Sequence, residues 1–257
     1  MLHLQTPSRA IPLLGILLVS PLGISQTPPL PPDYTGVQVH IPGVYITPVP
    51  NAPFSADVQI LTHQKLPDGT EAVRMTINHI ARDSSGRFYN ESRSLVPTTF
   101  KGDPSLVSVR IYDPTTRRDI YYNPHLRLAR EIVLQPLQAA RAVPTQAPVP
   151  AIVNPRPGSR VTETDLGDQV MDDTILHGTQ KQRIIDAAVS STGQPVTITD
   201  QYWYAPDLFV YLIVKHDDPR TGEQIVAVTH IDRHEPPAAK FEVPTGFKIV
   251  DETPPQP

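Results

Sequence analysis

The sequence predicts a mainly β fold: a curved antiparallel sheet of about nine to ten strands, a half-barrel or open barrel, with proline-rich disordered ends and a proline-rich insertion. Three observations predict it. Short runs of β-branched and aromatic residues recur along the chain, separated by Pro, Gly and Asp where turns need them. The clearest succession, Pro195–Phe247, reads as three consecutive antiparallel strands closed by Phe241-Glu242-Val243-Pro244-Thr245-Gly246-Phe247. The 31 prolines gather largely in Thr27–Pro53, Gln135–Pro157 and Thr253–Pro257, which read as extended connectors.

In chain order, residues 1–25 place Arg9 ahead of the apolar run Ile11–Val19, followed by Pro21 and Gly23-Ile24-Ser25, the layout of a secretory signal peptide. The run is well short of the ~20 residues that span a bilayer, which argues against a membrane anchor. The chain has no cysteine, so neither a lipid-anchored lipoprotein nor a disulfide framework is open to it. The expectation is a periplasmic or secreted protein with no stable membrane span once the signal is removed. Residues 26–52 would be a proline-rich linker and 53–250 a single β-sheet domain interrupted at 135–158. Residues 251–257 would be a disordered tail.

The formal charge of −4 becomes −5 without residues 1–25, which hold one base, Arg9, and no acid. Basic residues are scattered, so the electrostatic footprint of a nucleic-acid binder is missing. Within the domain, Ala56–Leu66 and Glu71–Arg82 flank Pro67-Asp68-Gly69-Thr70, the strongest hairpin signal in the chain. A two-residue primed turn at Asp68-Gly69 would face Ile60 with Ile77, Thr62 with Met75 and Gln64 with Val73. Gln59 and Asn78, His63 and Arg74, Lys65 and Ala72 would then share the polar side. Strands are expected next at Arg87–Ser94, Leu106–Tyr112, Asp119–Asn123 and Leu126–Leu134, with a looser Val96–Pro104 connection. After the insertion come Thr179–Val189, Val196–Tyr204, Phe209–His216 and Glu223–Arg233. Ala205-Pro206-Asp207-Leu208 makes the turn of the central hairpin, and Pro236-Pro237 ends the last strand.

Several motifs carry a resemblance. They are Asp68-Gly69-Thr70, Arg82-Asp83-Ser84-Ser85-Gly86-Arg87, Ile111-Tyr112-Asp113-Pro114, Trp203-Tyr204-Ala205-Pro206-Asp207-Leu208, Asp218-Pro219-Arg220-Thr221-Gly222-Glu223 and Phe241-Glu242-Val243-Pro244. Over Pro53–Val250 the chain resembles a group of uncharacterised exported proteins from acidobacteria. In the Asp-Ser-x-Gly-Arg turn and the Phe-x-Val-Pro-x-Gly-Phe ending it is also similar to periplasmic lipoprotein-carrier (LolA/LolB-like) half-barrels. The second resemblance implies a curved antiparallel sheet whose concave face holds an acyl chain or a partner. The chain shows no amphipathic helix near its N-terminus to form a lid.

No residue set announces catalysis. His230 and His234 stand four apart, a chelating spacing only on a helix, and they fall on or beside a strand. Asp172-Asp173 and Asp217-Asp218 lack the alternating ligands of a calcium loop. There is no Gly-x-Ser-x-Gly elbow, Ser-x-x-Lys motif or phosphate-cradling glycine loop. Catalytic residues, metal ligands and cofactors are therefore not assigned. Asn90-Glu91-Ser92 matches a glycosylation sequon of the kind that arises by chance.

Phe209-Val210-Tyr211-Leu212-Ile213-Val214 lacks alternation, and such a strand needs cover on both faces. The expected cover is a loop or helix within Thr162–Ile175, with ligand contact as the alternative. A four-residue connection would pair Tyr204 with Phe209 and Tyr202 with Tyr211, placing four rings on one side as core or as a ligand-sized apolar wall. Tyr202, Tyr204, Phe209 and Tyr211 are thus the candidate ligand-binding residues. The leading functional expectation is a non-enzymatic exported protein holding a hydrophobic small molecule, a lipid or acyl chain, on the concave face. The alternative is an envelope-stress sensor or assembly factor that binds envelope proteins through the same sheet.

Overall fold

A computed structural model describes residues 43–135 and 157–255. The expected signal peptide, most of the expected linker and most of the expected insertion lie outside the described residues.

Hairpins build most of the molecule. The first strands are β1 (Phe54–Lys65), β2 (Glu71–Arg82), β3 (Phe88–Arg93), the two-residue β4 (Val96–Pro97), β5 (Leu106–Asp113), β6 (Arg118–Asn123) and β7 (Leu128–Val133). After these come β8 (Ser159–Met171), β9 (Thr174–Ile185), β10 (Val196–Ala205), β11 (Val210–Asp218), β12 (Gly222–Asp232) and β13 (Lys248–Asp251). All belong to one 13-stranded sheet in the order β13-β7-β6-β5-β3-β2-β1-β12-β11-β10-β9-β8, with β4 paired to β2. The sheet is curved and mainly antiparallel, as expected, with β13 lying parallel on β7. Its ends, β13 and β8, do not pair with each other, so it stays open. The strands beyond the expected nine or ten are β4, β8 and β13. They are a two-residue bridge, a polar run without alternation and a four-residue parallel edge.

The first hairpin departs from its expected register. Leu66 N donates to Thr70 O at 2.8 Å, and Lys65 stands opposite Glu71, so Leu66 does not pair with Glu71. The loop has three residues, Pro67-Asp68-Gly69, of which Gly69 alone has positive φ, +83°. Pro67 fits the first central position of a type I turn, Asp68 the second, and Gly69 the left-handed bulge that follows. Asp68 Oδ1 locks this form by accepting from Thr70 N at 3.0 Å and Thr70 Oγ1 at 2.6 Å. Ile60 therefore faces Thr76, and Ile77 faces Gln59 on the opposite side.

The slip matters because the sheet buries different faces in its two halves. Phe54, Ala56, Val58 and Ile60 of β1 form one core with Ile80, Val226, Val228, Leu212 and Val214, covered by Val44 and Ile46. Ala81, Tyr89, Val109, Ile111, Ile120 and Tyr122 form a second core, packed by Phe241, Val243 and Phe247. Ile80 and Ala81 are consecutive in β2, so the two cores lie on opposite faces and meet at the end of that strand. The segment Thr162–Ile175, expected as a loop or helix, is the β8–β9 hairpin, and the strand expected over Thr179–Val189 begins earlier, at Thr174.

Arg82 sits at this junction, fully buried. Its Nε donates to Ala52 O, Nη1 to Thr47 O and Nη2 to Leu208 O, each at 2.8 Å. The guanidinium also lies 5.0 Å from the centre of the Phe54 ring. Burial lowers its pKa to about 10, with the nearby Tyr204 acting against that fall. Replacing Arg82 with Met strips three buried carbonyls of their donors at once, and is expected to cost about 3 kcal/mol or more in chemical denaturation. A loss below about 1 kcal/mol would show that water can replace the guanidinium.

Candidate functional site

The aromatic hairpin assembles differently from its expected pairing. Tyr202 stands opposite Val214, Tyr204 opposite Tyr211 and Ala205 opposite Val210, because the register shifts between Trp203 and Tyr204 and Leu212 is the extra residue on β11. Phe209 lies in the turn with φ +55° and pairs with neither tyrosine. Three of the four candidate rings still meet: the Tyr211 centroid is 5.7 Å from that of Tyr202 and 5.1 Å from that of Tyr204. They share the face of Val214, where Tyr202 and Tyr211 pack on the first core and Tyr204 is buried. Burial raises the pKa of Tyr202 and Tyr204, and pushes Tyr211 up to about 12. The same face carries a polar row of directly opposed residues, Thr62, Gln224, His216, Asp200, Lys181 and Glu163. Within it His216 Nδ1 is 2.6 Å from Asp200 Oδ1, and Lys181 Nζ is 3.6 Å from Glu163.

An open cleft lies elsewhere, where β3 leaves β2. The two pair only over Ile80–Arg82, and β4 takes over at Arg74 and Met75. Side chains span the gap between. Asn78 Oδ1 accepts from Arg93 N at 2.8 Å, and Glu91 Oε2 accepts from His79 N at 3.4 Å. Arg93 donates Nε to Glu91 at 2.8 Å and Nη1 to Pro104 O at 3.1 Å, which ties down the returning loop. Ser94 N–Ser105 O and Phe100 N–Pro97 O bonds, both 2.9 Å, shape the loop itself.

The resulting cleft holds about 330 Å³. Its apolar side is Met75, Ile77, Val96, Pro97 and Phe100, and its polar side is Asp57, His79, Arg93 and Asp103. Ile77 is 38% exposed and Phe100 48%, so neither is core. By alternation Met75, Ile77 and His79 lie on the face that carries Ala81, so the cleft continues the second core where its covering segment has ended.

Asp57 anchors the polar side. Its Oδ1 is 2.6 Å from His79 Nδ1 and its Oδ2 is 3.1 Å from His230 Nδ1. His230 comes from a bulge in β12, with φ +52°, and its side chain is largely exposed. Behind them the Tyr89 hydroxyl donates to Glu91 Oε1 at 2.6 Å. Burial works to raise the Glu91 pKa, but the hydrogen bonds from Arg93 and Tyr89 outweigh it and hold the carboxyl below its ordinary value. Burial, then the bond to Glu91, raises the Tyr89 pKa.

No local spacing announces this grouping, since Asp57, His79 and His230 lie on three strands whose registers bring them together. Of the two histidines that stand four apart in sequence, His230 turns to Asp57 and His234 to Asp232. Among the described residues no group of His, Cys, Asp and Glu is arranged to hold a metal ion. No described helix is long and apolar enough to cross a membrane.

No protein-family model and no curated protein matches the chain. Among solved structures it is similar to an uncharacterized conserved protein from Thermus thermophilus, with 9% identity and TM-score 0.40, over 78% of this chain and 91% of that one. It is also similar to a LolA superfamily protein from Nitrosomonas europaea, with 12% identity and TM-score 0.30, over 76% and 91% of the two chains. A third is LprF from Mycobacterium bovis, with 12% identity and TM-score 0.28, over 76% and 90%. The neighbours also include a putative outer membrane lipoprotein-sorting protein domain from Vibrio parahaemolyticus. At these identities and scores no activity carries over.

Two outcomes follow from the geometry. Tyr204→Ala removes a buried ring and is expected to cost about 3–5 kcal/mol in urea denaturation, whereas Phe100→Ala in the cleft should change stability by under about 1 kcal/mol. The bond to Asp200 raises the His216 pKa above its ordinary 6.5, with burial opposing. The stabilisation is therefore complete below that ordinary value and is lost as pH rises through the raised one. Thermal melts between about pH 6 and about pH 9 should show this decline in the wild type and a flatter profile in His216→Gln.

Proposed function

We propose that this chain is an exported, non-enzymatic binding protein that holds a hydrophobic ligand, a lipid or acyl chain, in the cleft between β2 and residues 94–105. The observation that carries this reading is the cleft itself, about 330 Å³, with apolar side chains such as Met75, Ile77 and Phe100 facing charged ones such as Asp57, Arg93 and Asp103. That is the size and chemistry of a small-molecule site, apolar walls with a few polar groups that orient the ligand. Arg93 is tied to Glu91 and Pro104, and the cleft holds no serine or cysteine that could act as a nucleophile, so the reading is one of binding. The signal-like residues 1–25 support export.

A fluorescent fatty-acid probe tests the reading. Wild-type protein should take up the probe, and Ile77→Ser and Phe100→Ser should weaken uptake severalfold with melting temperature unchanged. Tyr202→Ala and Tyr211→Ala, run beside them, test the aromatic hairpin as the ligand wall. Loss of uptake in the tyrosine variants alone, with their stability intact, would move the ligand to that hairpin. No uptake by the wild type would remove the lipid reading. A second reading, a protein partner, has its own support in Val170 and Ile175, an opposed apolar pair 72% and 57% exposed near the tip of the β8–β9 hairpin.

A further inference from the structure

Resting on that reading of the cleft, we infer that its ligand carries a protonated amine beside the apolar part, and that the cleft selects cationic amphiphiles over anionic ones. The polar side holds Asp57, His79, Arg93 and Asp103. Arg93 is the one fixed positive charge there, and it is spent on Glu91 at 2.8 Å, a carboxylate held ionised below its ordinary pKa. Asp57 faces two imidazoles, and Asp103 feels the Arg93 charge at a distance but makes no hydrogen bond to it among the described residues. Counting carboxylates and guanidinium, Asp57, Glu91 and Asp103 stand against Arg93 alone.

These two carboxylates differ in their freedom. Asp57 lies mostly buried at the cleft wall, with each oxygen directed at one imidazole, His79 Nδ1 and His230 Nδ1. Asp103 is exposed on the loop and accepts no hydrogen bond among the described residues. Lys101 is on the same loop but does not line the cleft. A ligand seated on Ile77 and Phe100 therefore brings its polar end against a negative rim. An ammonium can donate to Asp103 and to the outer lone pairs of Asp57, whereas a carboxylate or phosphate meets like charge at close range.

The test is displacement of a neutral apolar dye, N-phenyl-1-naphthylamine, by three twelve-carbon competitors: dodecylammonium, dodecanol and dodecanoate. Dodecylammonium should displace the dye at about tenfold lower concentration than dodecanoate, with dodecanol between them, and added salt should narrow the gap. Asp103→Asn, a loop substitution that breaks no bond of the fold, should shrink the preference severalfold without weakening dodecanol. Asp57→Asn should shrink it further, and its melting temperature reports whether the histidine contacts were needed for folding. Dodecanoate equal to or better than dodecylammonium overturns the inference while leaving the apolar site standing. A preference unchanged in Asp103→Asn and in folded Asp57→Asn overturns it as well. Absence of dye binding in the wild type removes the site and the inference together.

Discussion

A guanidinium enclosed at the meeting point of two cores holds two separate stretches of chain against β2. Arg82 donates to carbonyls of Thr47, Ala52 and Leu208, which belong to the segment before β1 and to the β10–β11 turn. None of the three is charged, so the site resembles solvation by oriented dipoles more than a salt bridge. Such an arrangement suits arginine because its donors diverge in one plane and its charge is spread, whereas an ammonium concentrates both. With its pKa lowered only to about 10, Arg82 stays charged at neutral pH, and the carbonyls must remain in place to solvate it. The covering segment around Val44 and Ile46 and the turn that carries Leu208 therefore depend on a side chain that β2 supplies.

The next five residues extend this control to the other core. Asp83 Oδ1 accepts from Ser85 N, Ser85 Oγ and Arg87 N, and its Oδ2 from Arg87 Nε at 2.6 Å. Gly86, at φ +88°, packs the turn on the Val49 backbone, which a Cβ there would meet at a tight 3.1 Å in a conformation that L side chains rarely adopt. Arg87 then lies over the Phe241 ring, 5.1 Å from its centre. The Asp-Ser-x-Gly-Arg turn and the Phe-x-Val-Pro ending, far apart in sequence, are thus in contact. One covers what the other closes, and the cleft opens where their joint cover ends.

The strands were legible because apolar alternation and turn chemistry are local. Val196–Tyr204 and Glu223–Arg233 were placed to within a residue or so of β10 and β12. Which face each strand buries was not legible. Alternation reports a period without saying which side meets a core, and the three-residue loop at Pro67-Asp68-Gly69 was enough to exchange Ile77 for Thr76 opposite Ile60. Bulges hid the rest. The extra residue Leu212 turned Tyr211 toward Tyr204 in place of Phe209, and the bulge at His230 delivered an imidazole to Asp57. β8 was missed because Thr162–Asp168 is nearly all polar, as an edge strand tolerates. The cleft itself depends on the divergence of β3 from β2, a long-range event with no sequence signature.

The pairing of β1 with β12, Val58 against Val228 and Ile60 against Val226, joins one of the earliest strands to one of the last. Most other neighbours in the sheet are also neighbours, or nearly so, along the chain. Each half can therefore zip locally as it leaves the ribosome or translocation channel, but the seam between them must wait for some 170 residues to emerge. During that interval β1 presents an unpaired edge with Phe54, Val58 and Ile60 uncovered, the kind of surface that recruits foreign strands. Synthesis order thus sets a window of vulnerability. A chain stalled before Gly222 would lack β12, β13 and the residues that cover the second core, and would leave the β1 edge open.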